Sequence, residues 1–238
     1  MGLEVGKMRI ISILAVFAVL ASVSYAALPV NATVTAGTPL TLTSSATSGT
    51  VGAWGGNVTP VNLVINSSTL HWQGFFGNIT GSLGLGYGTS LLKKWTISTA
   101  AGQVYASQAS VIDFTALNST SVTLANMDSA FSFLSGATDS AANSGTNTNN
   151  TFFNISHYQV PNNTRPTLFT MNSSGALVWE TVVLTTNASD STKYVFAGLI
   201  SNNGVAADGT SADFQIMVPE DSLGNLAATT YYFYGEVR

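Results

Sequence analysis

An all-β fold of the sandwich or jelly-roll kind is what this sequence predicts, with about ten strands. Three observations carry the expectation. Runs of β-branched and aromatic residues recur at short spacing between Gly, Asn, Ser and Pro. Charged residues make up 8% of the chain and hydrophobic residues 45%, a balance that does not fit disorder. Helical periodicity is confined to one short segment and the N-terminal leader.

Taken in order, the chain opens on a secretion signal. Lys7 and Arg9 form a positive region, and Ile10 to Val23 is apolar except for Ser12 and Ser22. Ser24-Tyr25-Ala26 offers the small residues a signal peptidase needs, so residues 1–26 are expected to be cut off after Ala26. The competing reading is an uncleaved anchor, but the run falls short of the roughly 20 residues that span a bilayer. No membrane span is expected after cleavage. Residues 27–50 follow as an extended arm in which Val30, Ala32, Val34 and Ala36 alternate with Asn31, Thr33 and Thr35. Such an arm can pair with its own sheet or with that of a neighbouring copy.

Residues 51–238 read as the β-domain. Strands are expected at Pro60–Asn66, Thr69–Gly77, Lys94–Ser98, Gln103–Ser107, Val111–Leu117, Thr151–Val160, Ala176–Thr185, Lys193–Ile200, Asp213–Val218 and Thr229–Val237. The last has apolar residues on both faces, as suits a strand covered on both sides. Leu124, Met127, Phe131 and Leu134 recur at helical spacing. With Thr123 as cap and Gly136 as stop, they predict a short helix at 124–134. Residues 136–150, almost all small and polar, predict a mobile surface loop.

Composition excludes several functions. Of the chain's 11 acids and 7 bases, residues 1–26 hold Glu4, Lys7 and Arg9. The mature chain keeps 10 acids and 5 bases, a formal charge of −5, with no basic footprint for nucleic acid. Roughly 210 mature residues can bury a substantial core. There is no Cys, so stability must come from packing, oligomer contacts or metal rather than disulfides.

The pattern Asn-x-Ser/Thr starts at Asn31, Asn57, Asn66, Asn78, Asn118, Asn149, Asn154, Asn162, Asn172 and Asn187. With 19 Asn, 28 Ser and 30 Thr in the chain, composition alone would supply only about 4 or 5 of these ten. The excess predicts a glycoprotein outside the cell, with Asn118, Asn149, Asn154, Asn162, Asn172 and Asn187 exposed in loops or turns.

Nothing comparable marks an active site. His71 and His157 have no Gly-x-Ser-x-Gly elbow beside them and no ligand-spaced partner for zinc. Gly84, Gly86 and Gly88 alternate with Leu83, Leu85 and Tyr87. That is the pattern of a strand with one bare face rather than a phosphate loop. Asp208, Asp213, Glu220 and Asp221 are weak calcium candidates, and solvated turns explain them as well. Trp54, Trp72, Trp95 and Trp179 are core residues by default, and sugar-stacking residues if they line an exposed face. No catalytic residue and no cofactor is assigned.

Two stretches carry a resemblance. One is His71-Trp72-Gln73-Gly74-Phe75-Phe76-Gly77-Asn78-Ile79-Thr80-Gly81, with Trp95 and Gly102-Gln103-Val104-Tyr105-Ala106-Ser107 after it. The other is Asp213-Phe214-Gln215-Ile216-Met217-Val218-Pro219-Glu220-Asp221 followed by Thr230-Tyr231-Tyr232-Phe233-Tyr234. Together they resemble an uncharacterised family of secreted archaeal cell-surface proteins, from about Leu70 to the C-terminus. The resemblance implies an extracellular or envelope protein and supplies no catalytic residue. The leading expectation is a non-enzymatic, glycosylated surface protein with a structural, adhesive or self-assembling role. It would associate through strand edges or the arm, with copies of itself, other envelope proteins or glycans. A carbohydrate- or ligand-binding module is the alternative, and a secreted hydrolase the third.

Overall fold

The computed structural model describes residues 28–41, 50–62, 67–117, 122–134, 136–155, 158–220 and 228–237. The expected signal segment 1–26, residues 42–49 of the arm and residues 63–66 of the expected strand Pro60–Asn66 lie outside them. Among the described residues the chain is all-β, with fifteen strands numbered in chain order, two short α-helices and one 3-10 turn at Ser191–Lys193. No helix among them is long and apolar enough to cross a membrane.

The centre is a seven-stranded antiparallel sheet. Its order is β1 (Val30–Asn31), β15 (Tyr232–Val237), β5 (Gly102–Ser107), β11 (Tyr194–Leu199), β10 (Leu177–Thr185), β9 (Thr167–Met171) and β6 (Gly145–Thr146). In β10 and β11 the runs Val182-Val183-Leu184 and Val195-Phe196-Ala197 are apolar without alternation, because both faces of the sheet are buried. One face places Ala106, Val183, Tyr194 and Phe196 against Ile216 and Val218 of β14 (Phe214–Pro219), which is paired with β2 (Trp72–Gly77). Helix α1 (Leu124–Ala130) closes this core with Leu124 and Met127. The other face packs Tyr105, Val182, Leu184, Val195 and Tyr234 against Phe114 and Leu117 and the hairpin of β7 (Phe153–Ile155) and β8 (Tyr158–Val160). The layer facing the large sheet is thus a two-stranded ladder and a helix. Helix α2 (Ala141–Ser144), the pair β12 (Gly204–Val205) with β13 (Ser211–Ala212), and the hairpin of β3 (Ser82–Tyr87) and β4 (Ser90–Thr96) complete the elements.

Several local expectations are corrected. Val111–Leu117 is not a strand. Asp113 folds it into a turn by accepting from Thr115 N at 3.0 Å, and this turn lets Phe114 and Leu117 both reach the core. Thr151–Val160 is a hairpin rather than one strand. Strand β9, not expected, is a β-rich run directly after Pro166. Helix α1 starts at the expected cap: Thr123 Oγ1 accepts from Asn126 N at 3.2 Å, and Asn126 Oδ1 accepts from Thr123 N at 3.0 Å. It stops at Ala130, short of Gly136, with Ser132 in the left-handed region at φ 56, and Leu134 is left exposed. Residues 136–150 are not a featureless loop. They form α2, whose first amides Ala141 N and Ala142 N donate to Asp128 at 2.6 and 3.2 Å, and β6 at the sheet edge. Small side chains are what allow this segment to lie close against α1, and Ala141 is fully buried there.

Candidate functional site

The expected acceptor asparagines occupy three environments. Asn31, Asn57, Asn78, Asn162 and Asn187 are exposed, and Asn154 and Asn172 are half-buried. Asn66 and Asn118 lie outside the described residues. Asn149 overturns its expectation: it is 0% exposed.

Local hydrogen bonding explains part of the sequon excess. An Asn or Asp side chain readily accepts from the backbone two residues on. Asn172 Oδ1 accepts from Ser174 N at 3.0 Å and Ser174 Oγ at 2.7 Å, and Asn187 Oδ1 accepts from Ser189 N at 3.0 Å. Asp113, Asp190 and Asp208 make the same turn with Thr115, Thr192 and Thr210. In each, hydrogen bonds from that Thr hold the carboxyl below its ordinary range. At Asn172 and Asn187 the Asn-x-Ser pattern is therefore turn chemistry.

Asn149 is built differently. Its Nδ2 donates to Thr151 O at 2.8 Å and Pro161 O at 3.0 Å. Its Oδ1 accepts from Thr164 N at 2.9 Å and Arg165 N at 3.0 Å. Its backbone carbonyl accepts from Asn163 N at 2.8 Å, with Asn163 in the left-handed region at φ 60. One amide thus holds the start of the β7–β8 hairpin against its exit. The neighbouring Asn150 N donates to the buried Glu180 carboxylate at 2.7 Å. Sequence reasoning had no signal for this, since Asn149 has the same local pattern as the exposed sequons.

The most unusual surface is the β3–β4 hairpin. Every residue in both strands is exposed. Gly84 and Gly86 form the bare face expected from their spacing. A Cβ on Gly86 would stand 2.2 Å from Ser90 O, and one on Gly84 would stand 2.8 Å from Leu91. Gly88 makes the tight turn at φ 59. The hairpin presents Leu83, Leu85, Leu91, Leu92, Trp95 and Tyr87 to solvent, Tyr87 at 94% exposure. By the pairing register Leu83, Leu85, Tyr87 and Trp95 share one face of the hairpin, while Leu91 lies with Gly84 and Gly86 on the other. Lys93 and Lys94 lie among them, opposite Leu85 and Gly84.

The remaining candidates serve the fold. His71 Nδ1 lies 3.0 Å from Asp139 Oδ2 but is out of line for a hydrogen bond, so the contact is a charge pair when the ring is protonated. Thr69 Oγ1 donates to the same Asp139 oxygen, and Trp72 Nε1 donates to Asp139 O at 2.6 Å. The Thr69 hydroxyl, first, and His71 hold the Asp139 carboxyl below its ordinary range. The cluster ties residues 137–140 to the start of β2. Its hydroxyl is bonded to the carboxylate rather than poised on the imidazole, unlike a Ser-His-Asp arrangement. His157 and Asp221 lie outside the described residues.

Among the calcium candidates, Asp213 is buried, and its two oxygens accept from Ile79 N at 2.8 Å and Asn203 N at 3.0 Å. Asp208 closes its own turn, and Glu220 accepts from Thr229 Oγ1 at 2.7 Å. The described residues bring no three acidic, His or Cys side chains together as a metal site. Of the tryptophans, Trp179 is core and Trp72 half-buried, while Trp54 and Trp95 face solvent. No family model, curated protein or solved structure matches the chain.

Proposed function

We propose that this chain is a secreted, N-glycosylated surface protein, of archaeal type by its resemblance, with a structural role that depends on self-association. The observation that supports this best is the apolar β3–β4 hairpin. Its six large apolar residues are 48 to 94% exposed, and Leu83, Leu85, Tyr87 and Trp95 share one face by the pairing register. Two further features favour a second copy as the occupant. Lys93 and Lys94 are two of the five bases left after the expected cleavage, against ten acids, so the hairpin is complementary in charge to the rest of the molecule. The ten sequons leave residues 81–117 free of acceptors, so the hairpin carries no sugar of its own.

Analytical ultracentrifugation of the chain from residue 27 tests the proposal. Association should rise with concentration and weaken with salt. Leu85→Glu should abolish it while leaving the thermal midpoint unchanged, because the new carboxylate faces Lys93 across the hairpin and keeps the register. A strictly monomeric wild type, or an L85E variant that associates normally, would refute the assignment. Trp54 at 77% exposure and the solvent-facing Tyr87 and Trp95 favour a second reading, adhesion to carbohydrate. Quenching of tryptophan fluorescence by soluble polysaccharide in a monomeric protein would identify that case.

A further inference from the structure

The fold treats identical acceptor signals in opposite ways. Transfer of sugar to Asn requires the side-chain Nδ2 to reach the anomeric carbon of a lipid-phosphate-linked oligosaccharide. A C–N bond forms, and the C–O bond to phosphate breaks with its electron pair leaving on the lipid phosphate. One Nδ2 proton passes to a base of the transferase. The acceptor nitrogen must therefore be accessible and free of other bonds.

We propose that the tertiary structure sorts the sequons, so that Asn172 is an acceptor in the folded chain and Asn149 is a structural pin closed to modification. This rests on the reading of the chain as a glycoprotein. At Asn172, every hydrogen bond the side chain makes among the described residues ends on Oδ1, from Ser174 N, Ser174 Oγ and Ala176 N. Its Nδ2 makes no hydrogen bond among the described residues, and the half-buried Asn172 sits on a turn whose next residues, Ser173 to Gly175, are exposed. The same holds at Asn187, where Oδ1 accepts from Ser189 N and the residue faces solvent.

At Asn149 both protons of Nδ2 are already engaged, by Thr151 O and Pro161 O, and the residue has no accessible surface. Replacing one proton by a sugar would break at least one of these bonds and would need space inside the 149–165 turn. Modification of Asn149 therefore requires that turn to open. Openings that break a fully bonded side chain with no accessible surface are rare. A chain that received sugar there before folding could not close the turn, so sugar at Asn149 and the native fold exclude each other.

The test is transfer in vitro to the folded chain from residue 27. It uses a purified single-subunit oligosaccharyltransferase and a lipid-linked oligosaccharide. Synthetic peptides covering residues 145–168 and 168–180 serve as unfolded references, and glycopeptides are read by mass spectrometry. Both peptides should accept sugar. In the folded chain Asn172 should be modified at a rate near that of its peptide, and Asn149 at least about tenfold more slowly than its own. Equal rates at Asn149 in chain and peptide would overturn the proposal, as would a bare Asn172 in the folded chain. An inert 145–168 peptide would also overturn it, since local sequence rather than fold would then decide. Failure of the glycoprotein reading is a separate result, seen as absence of sugar from all sites on the native secreted protein.

Discussion

Replacing Asn149 by alanine should destabilise the protein although no sugar is involved. The substitution removes two donors and two acceptor interactions at once. It leaves Thr164 N and Arg165 N without their acceptor, and Thr151 O and Pro161 O without their donor. An unsatisfied buried polar group costs about 1–3 kcal/mol. Thr151, Pro161 and Thr164 are exposed residues, so water can reach part of what is uncovered, and the four losses do not add in full. A net loss of about 2–4 kcal/mol follows. For a domain of this size that corresponds to a fall of roughly 5–15 °C in the thermal midpoint. The assay is urea and thermal unfolding by circular dichroism of protein made in a non-glycosylating host. Asn162→Ala, an exposed sequon in the same turn, is the control and should stay within about 0.5 kcal/mol of wild type. Hydrogen exchange adds a local readout, because the amides of Thr164 and Arg165 should lose protection in N149A alone. Equal stability of N149A and N162A, with those amides still protected, would refute the reasoning.

Two further outcomes are expected. In Gly204→Ala the new Cβ would lie 2.5 Å from Cη2 of Trp179, a core indole whose Nε1 donates to Val205 O at 2.9 Å, so neither side can yield easily. A loss of about 1–3 kcal/mol should appear in urea unfolding, and an unchanged midpoint would show that the β12–β13 pair moves freely. Asp139→Asn should alter the acid limb of stability. A carboxyl whose folded pKa is depressed contributes stability above its unfolded value, and that stability is lost as pH falls through the folded value. The wild type should therefore melt higher than D139N at pH 6.5 and approach it in acid, as pH falls through the depressed folded value. A gap that does not narrow in acid would assign the effect to packing.

The β class, the cap at Thr123 and the bare glycine face at Gly84 and Gly86 were legible in the chain because each depends on neighbours within a few residues. Strand runs such as 102–107, 177–185 and 194–199 were legible for the same reason, since β-branched and aromatic residues cluster there between Gly, Ser and Asn. The turn at Asp113, the order within 136–150 and the closing of Asn149 were not. Asp113 turns a strand-like run because Phe114 and Leu117 must both reach the core. Residues 141–146 are ordered by Asp128 and by β9, which lie at least 13 positions away in the chain at Asp128 and more than 20 at Leu168. Asn149 and Asn172 carry the same three-residue signal, and only partners 12 to 16 residues from Asn149 make one a pin and leave the other open. Local propensity thus determined the β class and most of its strands. Long-range hydrogen bonds and burial decided which surfaces remain, because a side chain's solvent access is set by what packs over it and not by its own sequence neighbours.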